Sequence, residues 1–243
     1  MNTKLMTFTA LALAASVAFA APTTSRSRRN AAAAAAAGEE ATSGKDAKIT
    51  IDQFPKTGRA STLPLPGITG GTTIGKCYSK PRNWIVLEAK YTTYAKWQDQ
   101  LTFTWHVLLE TKSATENKGN KEGLAPFSYF TTSVTYQNIP QGTHAASVCL
   151  HPSYLERFGE AKAIGVVITN SKGETLAGDC ESEVKGIASH PKTLDAAFWN
   201  NQDIMDAKGK DGNPMIERRQ GLQDRSKTIW ALVNPNDYEQ VAN

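Results

Sequence analysis

The residue types from which this chain could build a reactive or metal site are few: Cys77, Cys149 and Cys180, then His106, His144, His151 and His190, and the carboxylate pairs Glu39/Glu40 and Glu181/Glu183. A zinc site draws two or more ligands from closely spaced pairs, and no two cysteines or histidines here are so spaced. Neither a Gly-x-Ser-x-Gly elbow nor a His-Glu-x-x-His pair occurs. Both carboxylate pairs sit in polar, loop-like sequence and read as solvated surface rather than as an acid and base across a scissile bond. Gly70-Gly71-Thr72-Thr73-Ile74-Gly75-Lys76 imitates a phosphate-binding loop, but Cys77 stands where a Ser or Thr must hold magnesium, and Leu63-Pro64-Leu65-Pro66 replaces the buried strand that should lead in. Asp206-x-Lys208-x-Lys210 puts lysines where a calcium loop needs oxygen ligands. The expectation is therefore no metal, no cofactor and no enzyme. A secreted hydrolase whose site is assembled from several loops is the catalytic alternative.

Aromatic side chains offer the one binding hint. Trp97 lies in Tyr94-Ala95-Lys96-Trp97-Gln98-Asp99-Gln100, a polar stretch that reads as a hairpin tip, where a core Trp is not expected. Such a ring, with Tyr91 or Tyr94, stacks on the face of a sugar. The plainer alternative folds Trp97 back over the end of the domain. Trp84, Trp105 and Trp230 sit inside strand patterns and read as core.

Composition sets the frame for these candidates. The 243 residues are 40% hydrophobic and 21% charged with a formal charge of +4, a globular composition with too small a basic excess to argue a nucleic-acid partner. Lys4, the apolar run Leu5 to Phe19 and the small-x-small site Ala18-Phe19-Ala20 read as a signal peptide over residues 1–20, cut after Ala20 or Ala21. The run is shorter than the ~20 residues that span a bilayer, so no transmembrane segment is expected after cleavage. No Cys near the cut marks a lipoprotein, and the prepilin pattern of a type IV pilin is missing from the leader. Residues 21–47, with seven consecutive alanines from Ala31 to Ala37, cannot bury a core and read as a disordered tether. Arg26, Arg28 and Arg29 could dock on an anionic surface, but they are fewer than the usual cluster of ~4–8 basic residues. Export places Cys77, Cys149 and Cys180 in an oxidising compartment, where one disulfide and one odd thiol are expected, with all three pairings open.

From residue 48 onward the chain reads as strands. Leu101, Phe103, Trp105, Val107 and Leu109 alternate with Thr102, Thr104 and His106, which predicts one buried face and one face in water or against a second chain. Trp84–Tyr91 is expected to pair with Leu101–Leu109 around a connection at Tyr94–Gln100. A strand at Phe127–Tyr136 is followed by a turn at Ile139-Pro140-Gln141-Gly142, then by alternation at Ala146, Val148 and Leu150. Pro152–Phe158 reads as a short helix stopped by Gly159. Ile164–Thr169, Asn170–Gly173 and Glu174–Gly178 form the clearest hairpin. Leu194, Ala197, Phe198 and Met205 fit an inserted helix near 193–206, and Thr228–Val233 reads as a last buried strand. Seven or more short strands without a βαβ rhythm predict a mainly β domain over 48–243, an immunoglobulin-like antiparallel β-sandwich with helical insertions.

The leader Met1–Ala20, the tether Thr23–Asn30 with its alanine tract and the strand series from Trp84 to Val233 together resemble the exported immunoglobulin-like proteins associated with the type IV pilus-like cluster of Akkermansia. The resemblance implies a sandwich akin to archaeal pilus subunits and a role in envelope or pilus assembly. The missing prepilin pattern favours an accessory or host-facing role over that of a filament subunit. The expectation is a non-enzymatic envelope protein in the periplasm, at the outer membrane or on the cell surface, binding pilus-assembly proteins through sheet edges or end loops and able to form homo-oligomers. Lys48–Asp52, read as unpaired, and Thr228–Val233 are the candidate docking strands. The alternative is a mucin-adhesion module that binds host glycans with Trp97 and Tyr94.

Overall fold

Trp84–Glu110 forms one unbroken strand of 27 residues, β3, where the sequence predicted two strands and a connection. It pairs antiparallel along nearly its whole length with the 24-residue β4, Phe127–Leu150, from Ile85 opposite Leu150 to Glu110 opposite Phe127. The computed structural model describes residues 48–57, 61–63, 83–111, 124–228, 231 and 239–241. The leader, the tether, Cys77, the Gly70–Lys76 segment and Trp230 lie outside them.

A straight ribbon could not make the contact that organises the core. The rings of Tyr91 and Phe103 lie 4.8 Å apart, yet twelve residues of extended chain span about 40 Å. The β3–β4 ribbon therefore doubles back, and its two halves face each other. The irregularity in pairing between Thr93 and Trp97 marks the bend. From Thr93 opposite Gly142 to Trp97 opposite Pro140, β3 advances four residues while β4 advances two. Two extra residues are an even number, so side-chain parity survives the corner. Leu87, Ala89 and Tyr91 before the bend and Leu101, Phe103, Trp105, Val107 and Leu109 after it all point into one core. That alternation is as the sequence predicted, and the last five side chains have no exposed surface.

Short strands extend the ribbon. The first half of β3 carries β1 (Ile49–Gln53) and β2 (Ser61–Leu63), and its second half carries β5 (Glu160–Asn170), with β6 (Thr175–Ser182) beyond it. On the β4 side lie β7 (Ile216–Arg219), β8 (Leu222–Asp224) and β9 (Glu239–Val241), of which β7 runs parallel. The fold is mainly β, as expected. Its nine strands belong to one continuous mixed sheet, rather than to the two separate antiparallel sheets of the predicted sandwich. The segment Lys48–Asp52 is not unpaired, since Ile49–Gln53 is hydrogen-bonded to β3. Of Thr228–Val233, Thr228 follows a 3₁₀ turn at Arg225–Lys227, and most of the rest lies outside the described residues.

The short helix and the hairpin expected from the sequence are both present. His151 caps α1 (Pro152–Phe158) by accepting from the Ser153 N–H at 3.1 Å, and Gly159 ends it. The β5–β6 hairpin closes on Asn170, whose Oδ1 accepts from the backbone N–H groups of Lys172 and Glu174. The predicted helix near 193–206 is broken in two: a 3₁₀ turn at Leu194–Ala196 and a short α2 at Gln202–Met205. Asn201 causes the break, because its side chain accepts from Asp203 N and Ile204 N and so starts a new helix in the middle of the predicted one. The apolar positions still do their expected work. Phe198 and Met205 pack with Leu108, Tyr129, Ala163 and Cys180 on the outer face of the sheet.

Replacing Phe103 by Ala is expected to cost about 3–5 kcal/mol of unfolding free energy, because it empties the space between the two halves of the ribbon. Thr102→Ala, one residue along on the outer face, is expected to cost less than about 1 kcal/mol. Urea unfolding of both variants measures the contrast, and equal losses would mean that the ribbon halves do not share a core.

Candidate functional site

Bending two paired strands at one level leaves backbone groups without ladder partners, and four side chains or backbone positions meet that need. The Thr93 hydroxyl donates to the Pro140 carbonyl at 2.8 Å and accepts from Gly142 N at 3.2 Å. His144 Nε2 donates to the same carbonyl at 2.8 Å, which requires a proton on Nε2. Gly142 takes φ of +146°, a conformation that side-chain-bearing residues rarely adopt. The stretch Ile139–Gly142 is thus a bend inside β4 and not the chain-reversing turn predicted from its Pro and Gly.

This corner decides what happens to the aromatic candidates. Tyr91 is fully buried against Phe103 and is not available to a ligand, contrary to its place among the sugar-stacking candidates. Ala95 turns inward, while Tyr94 is 44% and Trp97 57% exposed, the large hydrophobic side chains that stand out among the described residues. Tyr94 leans on β1: Lys48 Nζ sits 5.6 Å from its ring centre, and its hydroxyl lies 3.4 Å from Thr50 Oγ1. Trp97 is on the inward parity but lies where the layer ends, so its ring faces solvent. The corner sits within one continuous strand and is not a hairpin tip.

Three of the histidines and Glu183 have structural partners. His151 is the α1 cap and His144 a corner donor. His190 pairs through Nδ1 with both oxygens of Asp179 at 2.9 and 3.0 Å, and its backbone N–H donates to Cys180 O at 2.7 Å. Ser189 Oγ accepts from Ser182 N and donates to Ser182 O, so the segment after β6 folds back on the last residues of that strand. Glu183 accepts from Lys162 Nζ at 3.0 Å and Thr57 Oγ1 at 2.9 Å, and these bonds, Lys162 first, hold its carboxyl below the usual range. The pair Glu181/Glu183 is therefore a tie between elements. Cys149 and Cys180 are free thiols whose burial pushes them up to about 11 and about 12, which leaves little thiolate near neutrality. Among the described residues no group of three or more His, Cys, Asp or Glu is arranged to hold a metal.

The outer face of the sheet holds a second concave region that the sequence reading missed. His106, expected in water or against a second chain, is instead covered by this chain's own Trp199, whose ring stacks on it at 4.4 Å and 4°. Its Nδ1 lies 2.6 Å from the Tyr129 hydroxyl. Gly165, opposite His106 on β5, makes room: a Cβ there would lie 1.9 Å from Trp199 Cζ3. Beside this stack an open groove of about 540 Å³ runs between Thr104 and Thr175 on the sheet and the Leu194–Asn200 segment. The pairing of Trp199 with a glycine 34 positions earlier leaves no local trace, so only the unassigned aromatic itself could have flagged it.

A family model matches residues 45–222, and the chain belongs to that family, a pilus-associated one. Among solved structures, a protein from Akkermansia muciniphila is similar in fold, with a TM-score of 0.55 at 17% identity over 81% of this chain and 94% of that one. No curated protein sequence matches.

Burial lowers His106 from its usual 6.5 to about 4, so the folded protein refuses a proton that the unfolded chain accepts. The associated stability is fully present above about pH 6.5 and is lost as pH falls toward 4. At about 1.4 kcal/mol per pH unit it amounts to roughly 3 kcal/mol. Denaturant midpoints at pH 7 and pH 4.5 are expected to differ less in His106→Gln than in the parent. An unchanged difference would show that His106 does not carry this pH dependence.

Proposed function

We propose that this chain is an exported, non-enzymatic envelope protein of pilus assembly that binds partner proteins at the Tyr94–Trp97 corner. The observation that carries the reading is a rigid, hydrogen-bonded corner that holds a Trp 57% exposed beside a Tyr 44% exposed. Trp and Tyr are the side chains most often found at the energetic centre of protein interfaces, because they bury a large area at little conformational cost. Family membership supports the envelope setting. Of the two candidate docking strands, Lys48–Asp52 is hydrogen-bonded to β3 through Ile49–Gln53, and most of Thr228–Val233 lies outside the described residues.

A photo-crosslinking residue at position 96 of the full chain, beside Trp97 and activated in the native envelope, is expected to capture secretin or other pilus-machinery components. Trp97→Ala in the same chain is expected to weaken capture by about thirtyfold, the effect of losing a central aromatic worth about 2 kcal/mol. Crosslinks from the β5–β6 hairpin but none from position 96 would overturn the corner as the contact.

The same exposure of Trp97 favours a second reading, in which the ring stacks on host mucin glycans. That reading requires mucin glycans to quench tryptophan fluorescence and Trp97→Ala to remove the quench.

A further inference from the structure

We propose that the groove between the outer face of the sheet and the Leu194–Asn200 segment is a binding site for an uncharged saccharide unit, with Trp199 as its stacking wall. The site shares no residue with the Trp97 corner and does not rest on the partner-binding reading. Its lining is what a neutral, hydroxyl-rich ligand requires. Thr104 and Thr175 present hydroxyls, Asn200 an amide, Asp195 a carboxylate and the half-buried Trp199 an aromatic surface, and no Lys or Arg among the described residues lines the groove. Sugars combine apolar C–H faces, which pack on aromatic rings, with hydroxyls that exchange hydrogen bonds with amides and carboxylates. An anionic ligand would instead call for cationic forks.

The walls are set before any ligand arrives. Trp199 is held from one side by His106, from another by Phe198 at 5.1 Å in an edge contact, and it drops into the space that Gly165 leaves. Asn200 Nδ2 donates to Leu194 O at 2.8 Å, which orients the amide and leaves its Oδ1 as an acceptor. Thr104 Oγ1 lies 3.0 Å from Ser133 Oγ, so its hydroxyl stands in a fixed position on the sheet. His106, only 9% exposed, lines the groove and pairs through Nδ1 with the Tyr129 hydroxyl, so its ring is a fixed part of the wall. Burial keeps that ring neutral, so the groove gains no cation near neutral pH.

The test is a titration of the full chain with N-acetyllactosamine and with its sulfated form, followed by the indole N–H resonances. The neutral sugar is expected to shift the Trp199 indole saturably, and the sulfated sugar to bind no tighter. Thr104→Val combined with Asn200→Ala is expected to weaken binding at least about tenfold, roughly 1.4 kcal/mol. Trp199→Ala is expected to abolish binding, but it also uncovers His106, so the double variant is the deciding one. No saturable shift at Trp199, or tighter binding of the sulfated sugar, would overturn the proposal. Binding lost in Trp97→Ala but kept in the double variant would also overturn it and move glycan recognition to the corner.

Discussion

A hydrogen-bonded ribbon more than twenty residues long can enclose a core only if it folds over, and it can fold only where both strands release their ladder at the same level. Here that release is held by Thr93, Pro140, Gly142 and His144. Proline brings no N–H to the ladder, and its carbonyl is taken by two donors instead of a cross-strand amide. The Thr93 hydroxyl both donates and accepts, so a single buried side chain replaces two missing backbone interactions. Everything in the main core depends on this geometry, because Tyr91 meets Phe103 only if the strand turns between them.

The corner also explains why an aromatic residue remains exposed in a protein that buries Trp84 and Trp105 almost completely. Parity carries Leu87 to Tyr91 and Leu101 to Leu109 into the interior, but the residues that cross from one layer to the other have no opposing layer to cover them. Ala95 is small enough to turn in at that point, and Trp97 is not. Exposure of Trp97 thus follows from where the ribbon bends and requires no flexibility of the loop that carries it. An interaction surface of this kind is preorganised, which lowers the entropy lost when a partner orders it.

What was legible in the sequence was local. Period-two alternation from Leu101 to Leu109 is a property of neighbours along one strand, and every inward residue was identified. The β5–β6 hairpin and α1 carry their own punctuation in Asn170, Gly173, Pro152 and Gly159. By contrast, Tyr94–Gln100 and Ile139–Gly142 were each read as reversals, since Pro, Gly and polar residues signal a break in the strand without stating whether the chain returns or merely bends. Only the register of β3 on β4, with Trp97 opposite Pro140, shows that the two breaks are one corner. Strands β7, β8 and β9 have three or four residues each, too few for a periodic pattern to form. The site on the outer face was hidden for the same reason: it joins β3, β5 and the Leu194–Asn200 segment through contacts between residues far apart in the chain.

That outer face is divided by size. Toward the far end of β3, large residues from the inserted segment cover Leu108, Tyr129 and Cys180, and Gly165 allows Trp199 to lie close enough to stack on His106. Toward the corner the face is left to threonine and serine, paired across the strands as Thr102 with Thr135 and Thr104 with Ser133. β-Branched hydroxyl side chains keep the strand conformation favourable while satisfying each other in the presence of water. The boundary between the covered and uncovered parts is a step one aromatic ring high, and the groove is that step. A fully covered face would have no concavity, and a bare one would have no wall. The inserted segment stops at an intermediate position, so the same packing that protects His106 from solvent also builds the side of a site.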